Sequence, residues 1–183
     1  DSLKYLTAAR EAILNAFKVK NYKVYFTGSS TEANNLAIKG FCYKHANRGK
    51  HIITTNIEHP SVLECFKALE NDGFKVTYLK VNADGIVTAE DVKNAMTNET
   101  ILVSIMAINN EIGSINPIKE IKEVVSKFPK AVLHVDTTQA VGKLNMDYNN
   151  CDMFVVSSHK IHGLKGSGAL IAKSNIVFIL PSL

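Results

Sequence analysis

The sequence predicts a three-layer α/β sandwich, in which a mixed but mostly parallel sheet is covered by helices on both faces. Three observations predict it. Short runs rich in β-branched residues alternate with segments of helical periodicity along the chain. Several of these runs are continuously apolar, as expected of strands that are buried on both faces. The connections between them are long enough for βαβ units, which favour parallel neighbours.

The strands are predicted from runs of apolar and β-branched residues that are bounded by turn-forming residues. Residues 82–85, with the sequence Asn-Ala-Asp-Gly, are typical of such a turn. The predicted strands are residues 23–27, 51–55, 75–79, 101–106, 132–136, 153–157, 167–172 and 176–180.

The helices are predicted from helical spacing of apolar residues and from residues that favour helix ends. Leu3, Leu6, Ile13 and Phe17 fall on one face of the first helix. The others are residues 30–44, residues 60–72 with a proline at the start and Asp-Gly at the end, a helix opened by residues 88 and 91, and residues 117–128.

The composition excludes several classes of protein. The chain has 183 residues, of which 46% are hydrophobic and 21% charged, so it is not a disordered chain, a collagen-like repeat or a disulfide scaffold. A net charge of +4 with scattered basic residues does not indicate a nucleic-acid partner. No apolar run reaches the roughly 20 residues of a membrane span. Three cysteines without paired spacing predict free thiols in a reducing compartment, either the cytoplasm or an organelle matrix.

Polar residues follow five of the predicted strands. In α/β sheets of this kind, ligands bind outside the carboxyl ends of the strands. These five segments are therefore expected to meet at one edge of the sheet and form a site. They are residues 27–32, 58–59, 109–111, 136–139 and 157–160.

Residues 27–32 have two interpretations. Gly28 allows a tight turn before a helix, and free N–H groups at a helix start with nearby hydroxyls can bind an anion. Alternatively, Ser29 and Glu32 form a capping box, which this segment alone favours. The sequence contains no Walker A loop and no dinucleotide-binding glycine motif.

Two charged residues at this edge also have two interpretations each. Asp136 ends an apolar strand, so its buried carboxylate needs a partner. It either caps the next turn through Thr138 or holds a protonated ring nitrogen. Lys160 follows another strand and is either a solvated loop residue or a buried amine nucleophile.

The histidines of this edge indicate a ring-binding site more than a metal site. His59 could be a loop residue, a metal ligand or a group that stacks on a ring. His159 and His162 are three residues apart, but no second ligand pair supports a metal. An anion site, an aspartate, an amide, an imidazole and a lysine together favour pyridoxal phosphate.

At this point the chain resembles the class V pyridoxal-phosphate enzymes, and within them the cysteine desulfurases of the NifS/IscS type. The resemblance covers almost the whole chain. It is carried by FTGSSTEANNLAIKG (residues 26–40), HIITTNIEHPSVLE (51–64), ILVSIMAINNEIG (101–113), HVDTTQAVGK (134–143) and SSHKIHGLKGSGAL (157–170).

The resemblance implies a role for each site residue. Lys160 binds the cofactor aldehyde covalently, Asp136 pairs with the pyridine nitrogen, and His59 stacks on the ring and is available for proton transfer. The amides address the phenolic oxygen, and four further residues bind the phosphate. The amides are Gln139 and Asn110, and the phosphate ligands are Ser30, Thr31, Ser157 and His159.

The resemblance also implies what the whole protein does. It would be a homodimeric enzyme that removes sulfur from L-cysteine, giving alanine and an enzyme persulfide for sulfur-acceptor or scaffold proteins in iron–sulfur cluster or thio-cofactor synthesis. The alternatives are another class V aminotransferase or lyase, or a non-catalytic remnant of the fold. Residues 1–183 would be an incomplete large domain of a fold-type I transferase, inactive by itself.

The catalytic cysteine and the substrate-binding arginine of the family would lie C-terminal to residue 183. None of the three cysteines present, Cys42, Cys65 and Cys151, matches the position of that nucleophile. We therefore expect all three to be structural or incidental.

Overall fold

A single mixed sheet organises the computed structural model, which describes residues 1–157 and 167–179. In the described part the sheet has seven strands. They are β1 (Tyr22–Thr27), β2 (His51–Thr55), β3 (Lys75–Leu79), β4 (Thr100–Ser104), β5 (Val132–Asp136), β6 (Met153–Ser157) and β7 (Gly168–Lys173). Their order is β1-β7-β6-β5-β4-β2-β3. β7 runs antiparallel to both neighbours, and the other pairings are parallel.

Helices connect the strands, as the alternating pattern predicts. They are α1 (Ser2–Ala16), α2 (Ser30–Asn35), a π-helical turn (Leu36–Gly40), α3 (Phe41–Lys44), α4 (Pro60–Asn71), α5 (Ala89–Ala95), α6 (Ile118–Val125) and a 3-10 turn (Tyr148–Asn150). The predicted helix 30–44 is thus one helical segment with a π-helical turn inside it.

Two apolar cores, one on each face of the sheet, confirm the three-layer prediction. Ile53 and Val103 belong to the core shared with α1, α5 and α6. Ile52 and Leu102 belong to the other core, which contains the segment α2–α3 and α4. Successive side chains of a strand point to opposite faces, so an uninterrupted apolar strand contributes to both cores.

The local signals locate most elements correctly. β2, β3, β5 and β6 have the predicted bounds, and Thr88 and Asp91 form the capping box that opens α5. α6 ends at Val125, three residues before the predicted end. On α1, Ile13 is buried, but Leu3 is 72% exposed, so the apolar face reaches a core only near its C-terminal end.

The prediction of a strand over residues 176–180 is wrong for its described part. Residues 176–179 form no strand, although Ile176 and Phe178 are buried in the core of α2 and α4. The amide of Ile179 donates to the carbonyl of Gly40 at 2.9 Å. β7 already has a strand on each side, so the chain that leaves it finds no free edge there and packs on the helical layer instead.

The three cysteines are free, as predicted, and all three are buried. Burial raises the pKa of all three thiols, that of Cys65 to about 11, so they stay protonated at neutral pH. Within the described residues, no helix combines the length and the apolar character needed to cross a membrane.

Candidate active site

A small cavity at the carboxyl edge of the sheet brings five predicted site residues together. Ser30 is the first residue of α2, His59 precedes α4, Asn110 follows β4, Asp136 ends β5 and Gln139 follows β5; all five line the cavity. The expectation that these segments meet at one edge of the sheet therefore holds for these five residues.

The other predicted site residues are placed differently. Thr31 is exposed and Ser157 is half-buried, and neither lines this cavity. His159 and Lys160 lie outside the described residues, so their predicted roles stay predictions.

A larger cavity, about 920 Å³ in volume, lies elsewhere in the described structure. It is a groove along β1 with a mainly apolar lining that includes Leu14, Tyr25, Leu36 and Ile179. It contains no predicted site residue. We therefore take the smaller cavity, of about 70 Å³, as the candidate active site because the convergent polar groups lie there.

Asp136 carries a buried carboxylate that is hydrogen-bonded but has no cationic partner among residues 1–157 and 167–179. Its Oδ1 accepts from the amide of Thr138 at 3.0 Å, and its Oδ2 accepts from Asn34 Nδ2 at 3.3 Å. The predicted cap through Thr138 is therefore present. It uses one lone pair of Oδ1, so each oxygen can still accept a further donor.

His59 is held by the first turn of α4, for which it is the N-terminal cap. Its Nδ1 accepts from the amide of Ser61 at 3.1 Å and lies 2.8 Å from Ser61 Oγ. Nδ1 is therefore an acceptor, and the ring carries its proton on Nε2. The capping contact fixes the ring beside the cavity.

Sequence reasoning missed a group of buried polar side chains at the cavity, which Asn34 and Ser61 also line. Asn34 is 1% exposed and bonds to both Asp136 and Ser61, and its Oδ1 lies 3.2 Å from Nε2 of the fully buried His134. The signal that could have found them is a polar residue on the apolar face of a predicted helix or in an apolar strand. Such residues need partners, and here they supply them to one another.

Glu58 is a further buried acid beside this group. Its Oε1 accepts from Thr55 Oγ1 at 2.9 Å and from the amide of Met106 at 3.0 Å, whereas its Oε2 has no hydrogen-bond partner among the described residues. Burial raises the pKa of Glu58 to about 8 against the effect of these two hydrogen bonds. The side chain is therefore mostly a neutral carboxylic acid at pH 7.

At the start of α2 the Ser29 half of the predicted capping box is present, whereas Glu32 accepts from Gly28 and not from the amide of Ser29. Ser29 Oγ accepts from the amide of Glu32 at 3.0 Å, and the carboxylate of Glu32 accepts from the amide of Gly28 at 2.7 Å. Gly28 lies outside the left-handed region, so this turn does not require the conformational freedom of glycine. The alternative, an anion site, stays a prediction.

The polar groups that line the cavity are of the kinds that would bind a ring with a protonated nitrogen and oxygen substituents. Asp136 presents a carboxylate for which the described residues supply no cation. The hydroxyl oxygen of Thr138, another lining residue, is buried and has no hydrogen-bond partner among them. The amides of Asn110 and Gln139 add donors at the same cavity. Within the described residues no group of three or more metal-binding side chains comes together.

Comparisons with known proteins show which proteins the chain is similar to. The chain is 46% identical over 175 residues to the cysteine desulfurase IscS of Clostridium botulinum, an alignment that covers 94% of this chain and 44% of the relative. It is 43% identical to the mitochondrial cysteine desulfurase of Eremothecium gossypii, over 90% of this chain and 34% of that protein. The chain thus spans less than half the length of these curated relatives.

Solved structures show the same fold. A NifS-like protein superposes with a TM-score of 0.85 at 35% identity and covers 93% of this chain and 48% of its own. SspA in complex with cysteine gives a TM-score of 0.82 at 38% identity and covers 92% of this chain and 50% of its own. The mixed sheet is thus the fold of the NifS-like proteins, as the fold class predicts.

The family model described as aminotransferase class-V matches residues 1–182, nearly the entire chain. That match covers both the sheet and the cavity at its carboxyl edge. The chain belongs to the aminotransferase class-V family.

Proposed function

We propose that this chain is the cofactor-binding part of a pyridoxal-phosphate enzyme that removes sulfur from L-cysteine and leaves alanine. The observation that carries the proposal is the cavity in which a buried Asp136, without a cationic partner among the described residues, lies beside His59. The relatives named as cysteine desulfurases, and the neighbour solved with cysteine, support the substrate. Bound pyridoxal phosphate supplies an electron sink for the charge left when an amino acid loses its α-proton.

Asp136 would hold the protonated ring nitrogen. Thr138 and Asn34 each donate to one of its oxygens and so fix the plane of the carboxylate. A carboxylate opposite a cationic nitrogen favours the charged form of that nitrogen. Because the site is partly shielded from water, this pairing is stronger than it would be in solution.

His59 would lie against the ring, with its Nε2–H available as a donor. Its Nδ1 lone pair is occupied by Ser61, so in this state His59 offers Nε2–H as a hydrogen-bond donor and has no free lone pair for a further proton. Gln139 and Asn110 would donate to the phenolic oxygen of the ring. Ser30 and Thr31, with Ser157 and His159, would bind the phosphate, and Lys160 would bind the aldehyde.

The whole protein would also need groups that this chain does not contain. We place the cysteine that accepts sulfur and the arginine that binds the substrate carboxylate C-terminal to residue 183. We expect a homodimer that passes sulfur to acceptor or scaffold proteins for iron–sulfur cluster or thio-cofactor synthesis. We expect it in the cytoplasm or an organelle matrix, and relatives described as mitochondrial and mitosomal are compatible with the second place.

The test measures pyridoxal-phosphate binding by absorbance and alanine release from L-cysteine in the full-length protein. Asp136→Asn keeps the size of the side chain but removes its charge. Loss of one partner of a buried charge pair costs about 3 kcal/mol, so we expect a fall of roughly a hundredfold in alanine release. Asp84→Asn, in an exposed turn, is the matched control and should behave like wild type.

Lys160→Ala should abolish the absorption band of the bound cofactor. If the band persists in that variant, the assignment of Lys160 is wrong. If wild type binds the cofactor but releases no alanine from L-cysteine, another class V reaction replaces this proposal. If it binds no cofactor at all, a non-catalytic remnant of the fold is the better description.

A further inference from the structure

One buried amide joins two groups of the cavity that are far apart in sequence. Asn34 Nδ2 lies 3.3 Å from Asp136 Oδ2 and 3.1 Å from Ser61 Oγ, and Asn34 Oδ1 lies 3.2 Å from His134 Nε2. Asn34 is 1% exposed, so water does not compete for these contacts. Each polar atom of the amide has a partner.

The direction of these hydrogen bonds follows from the carboxylate. An ionised carboxylate only accepts, so the group of Asn34 that faces Asp136 must be its NH₂. The opposite atom, Oδ1, must then accept, which requires a proton on Nε2 of His134. His134 Nδ1 lies 2.7 Å from Ser104 Oγ and accepts from that hydroxyl. Burial lowers the pKa of His134 well below its usual range, against the opposing charge of Asp136, which agrees with a neutral ring.

A second set of hydrogen bonds connects Asn34 through Ser61 to the imidazole of His59. The other hydrogen of the NH₂ goes to Ser61 Oγ, so the Ser61 hydroxyl is free to donate its own proton. It donates to His59 Nδ1 at 2.8 Å, beside the Ser61 amide at 3.1 Å. The order set by Asp136 therefore extends to the direction of the Ser61 hydroxyl, which adds a second donor to the Nδ1 that the Ser61 amide already makes an acceptor.

We propose that Asn34 is a positioning residue that holds the Asp136 carboxylate and orients the Ser61 hydroxyl toward Nδ1 of His59. The proposal rests on the proposed function only in that the cavity is taken to bind pyridoxal phosphate. The hydrogen-bond order can be tested without any cofactor. Asn34 itself touches neither substrate nor reacting atoms in this assignment.

The first experiment reads the proton positions. Histidine labelled with ¹⁵N is incorporated into the cofactor-free full-length protein, and long-range ¹H–¹⁵N spectra identify which ring nitrogen carries the proton. Variants His59→Gln and His134→Gln assign the two resonances. We expect both rings to be neutral with the proton on Nε2. A proton on Nδ1 of either ring, or a doubly protonated His134, would overturn the proposal.

The second experiment removes the links. Asn34→Leu deletes the donor to Asp136 and the acceptor for His134 at similar volume, so the Nε2–H resonance of His134 should shift or disappear by exchange. Ser61→Ala removes the hydroxyl but keeps the Ser61 amide, so the Nδ1 resonance of His59 should move while that of His134 stays. The matched controls are Asn35→Leu on the same helix and Ser114→Ala, which removes a buried hydroxyl outside this network.

The third measurement is the affinity for pyridoxal phosphate. A lost hydrogen bond to a buried charge is worth about 1.5–3 kcal/mol, so Asn34→Leu should bind the cofactor at least about tenfold more weakly than Asn35→Leu. Equal affinity in these two variants contradicts the positioning role. If Asn34→Leu does not fold, an unmoved His59 Nδ1 resonance in Ser61→Ala overturns it instead.

These readouts separate the two proposals. If the wild-type protein binds no pyridoxal phosphate, the proposed function fails, and the spectra still confirm or overturn the hydrogen-bond order. If it binds the cofactor but the histidine protons are elsewhere, the positioning role fails and the proposed function stands.

Discussion

Two buried aspartates lie at opposite ends of the parallel strands, one at the amino edge and one at the carboxyl edge of the sheet, and they have different partners. Asp152 precedes β6 and is 4% exposed; Asp136 ends β5 and is 8% exposed. Asp152 Oδ1 lies 2.8 Å from both Lys122 Nζ and Lys173 Nζ, and its Oδ2 accepts from the amide of Leu133 at 2.7 Å. In the part of the chain that the structure describes, Asp136 has hydrogen bonds but no ion pair.

The pKa of Asp152 shows what the difference means. Burial alone would raise this pKa, but hydrogen bonds from Lys122, Lys173 and the Leu133 amide together lower it below the usual range. The charge of Asp152 is therefore neutralised within the chain. The described residues supply no such cation for Asp136, so its carboxylate at the carboxyl edge indicates a ligand, whereas the paired carboxylate at the other edge indicates stability.

The largest loss of stability should come from replacing Asp152, the aspartate that is paired with two lysines. Asp152→Ala leaves two lysines and one amide without their acceptor, and we expect a loss of about 2–4 kcal/mol in the free energy of unfolding, measured with urea. Pyridoxal-phosphate affinity should change little, because the site lies at the other edge. A stable variant that lost cofactor binding would contradict the division between the two edges.

The ion pairs of Asp152 should also make the stability of the protein depend on pH in the acid range. Because the folded-state pKa of Asp152 is lowered, its contribution is present above the ordinary pKa of an aspartate and is lost as the pH falls through the folded value. The difference in stability between wild type and Asp152→Asn should therefore shrink below about pH 4. A difference that grows on acidification would show that Asp152 is not the charged partner.

The two edges also differ in how far the sequence predicts them. Runs of apolar and β-branched residues that end at turns locate β2, β3, β5 and β6. The parallel topology then collects Ser30, His59, Asn110, Asp136 and Gln139 at one cavity. The strands follow from local sequence patterns, and the meeting of these five residues follows from the rule that the carboxyl ends of parallel strands lie at one edge of the sheet.

Contacts between distant elements explain what was not predicted. Asn34 looks like an ordinary helical residue and His134 like a strand residue, and their meeting depends on how α2 packs on the sheet. The segment 176–179 has the composition of a strand, but its shape is decided by the occupied neighbours of β7. A single sequence carries neither piece of information locally.

A smaller effect is expected where β7 begins at the site edge. A Cβ on Gly168 would come within 2.6 Å of the backbone of Ser29 and Ser30, which would have to shift. Gly168→Ala should therefore cost about 1–3 kcal/mol and weaken pyridoxal-phosphate binding by moving the start of α2. Gly28→Ala is the matched control, because its Cβ would meet only the end of the Glu32 side chain at 2.9 Å. Equal stability of the two variants would show that this close approach is unimportant.

Glu58 gives a pH dependence of the opposite sign to that of Asp152. Its folded-state pKa is raised to about 8, so its contribution is complete below its usual pKa and is lost as the pH rises through 8. Between the usual pKa of a glutamate and pH 8, the stability of wild type relative to Glu58→Gln should fall by about 1 kcal/mol per pH unit. One proton contributes at most about 1.4 kcal/mol per pH unit. Urea unfolding at pH 5 and pH 8 measures it, and a flat difference would show that Glu58 is ionised at both.

The smallest effect should come from an ion pair that differs from Asp152 chiefly in its exposure. Lys67 Nζ lies 3.2 Å from Glu64 Oε1 on α4, and their side chains are 62% and 71% exposed. Water and salt screen such pairs, so Glu64→Ala should change the free energy of unfolding by about 0.5 kcal/mol or less. Added salt should remove even that, whereas the cost of Asp152→Ala should persist. If Glu64→Ala and Asp152→Ala cost the same free energy of unfolding, burial does not decide how much an ion pair stabilises this fold.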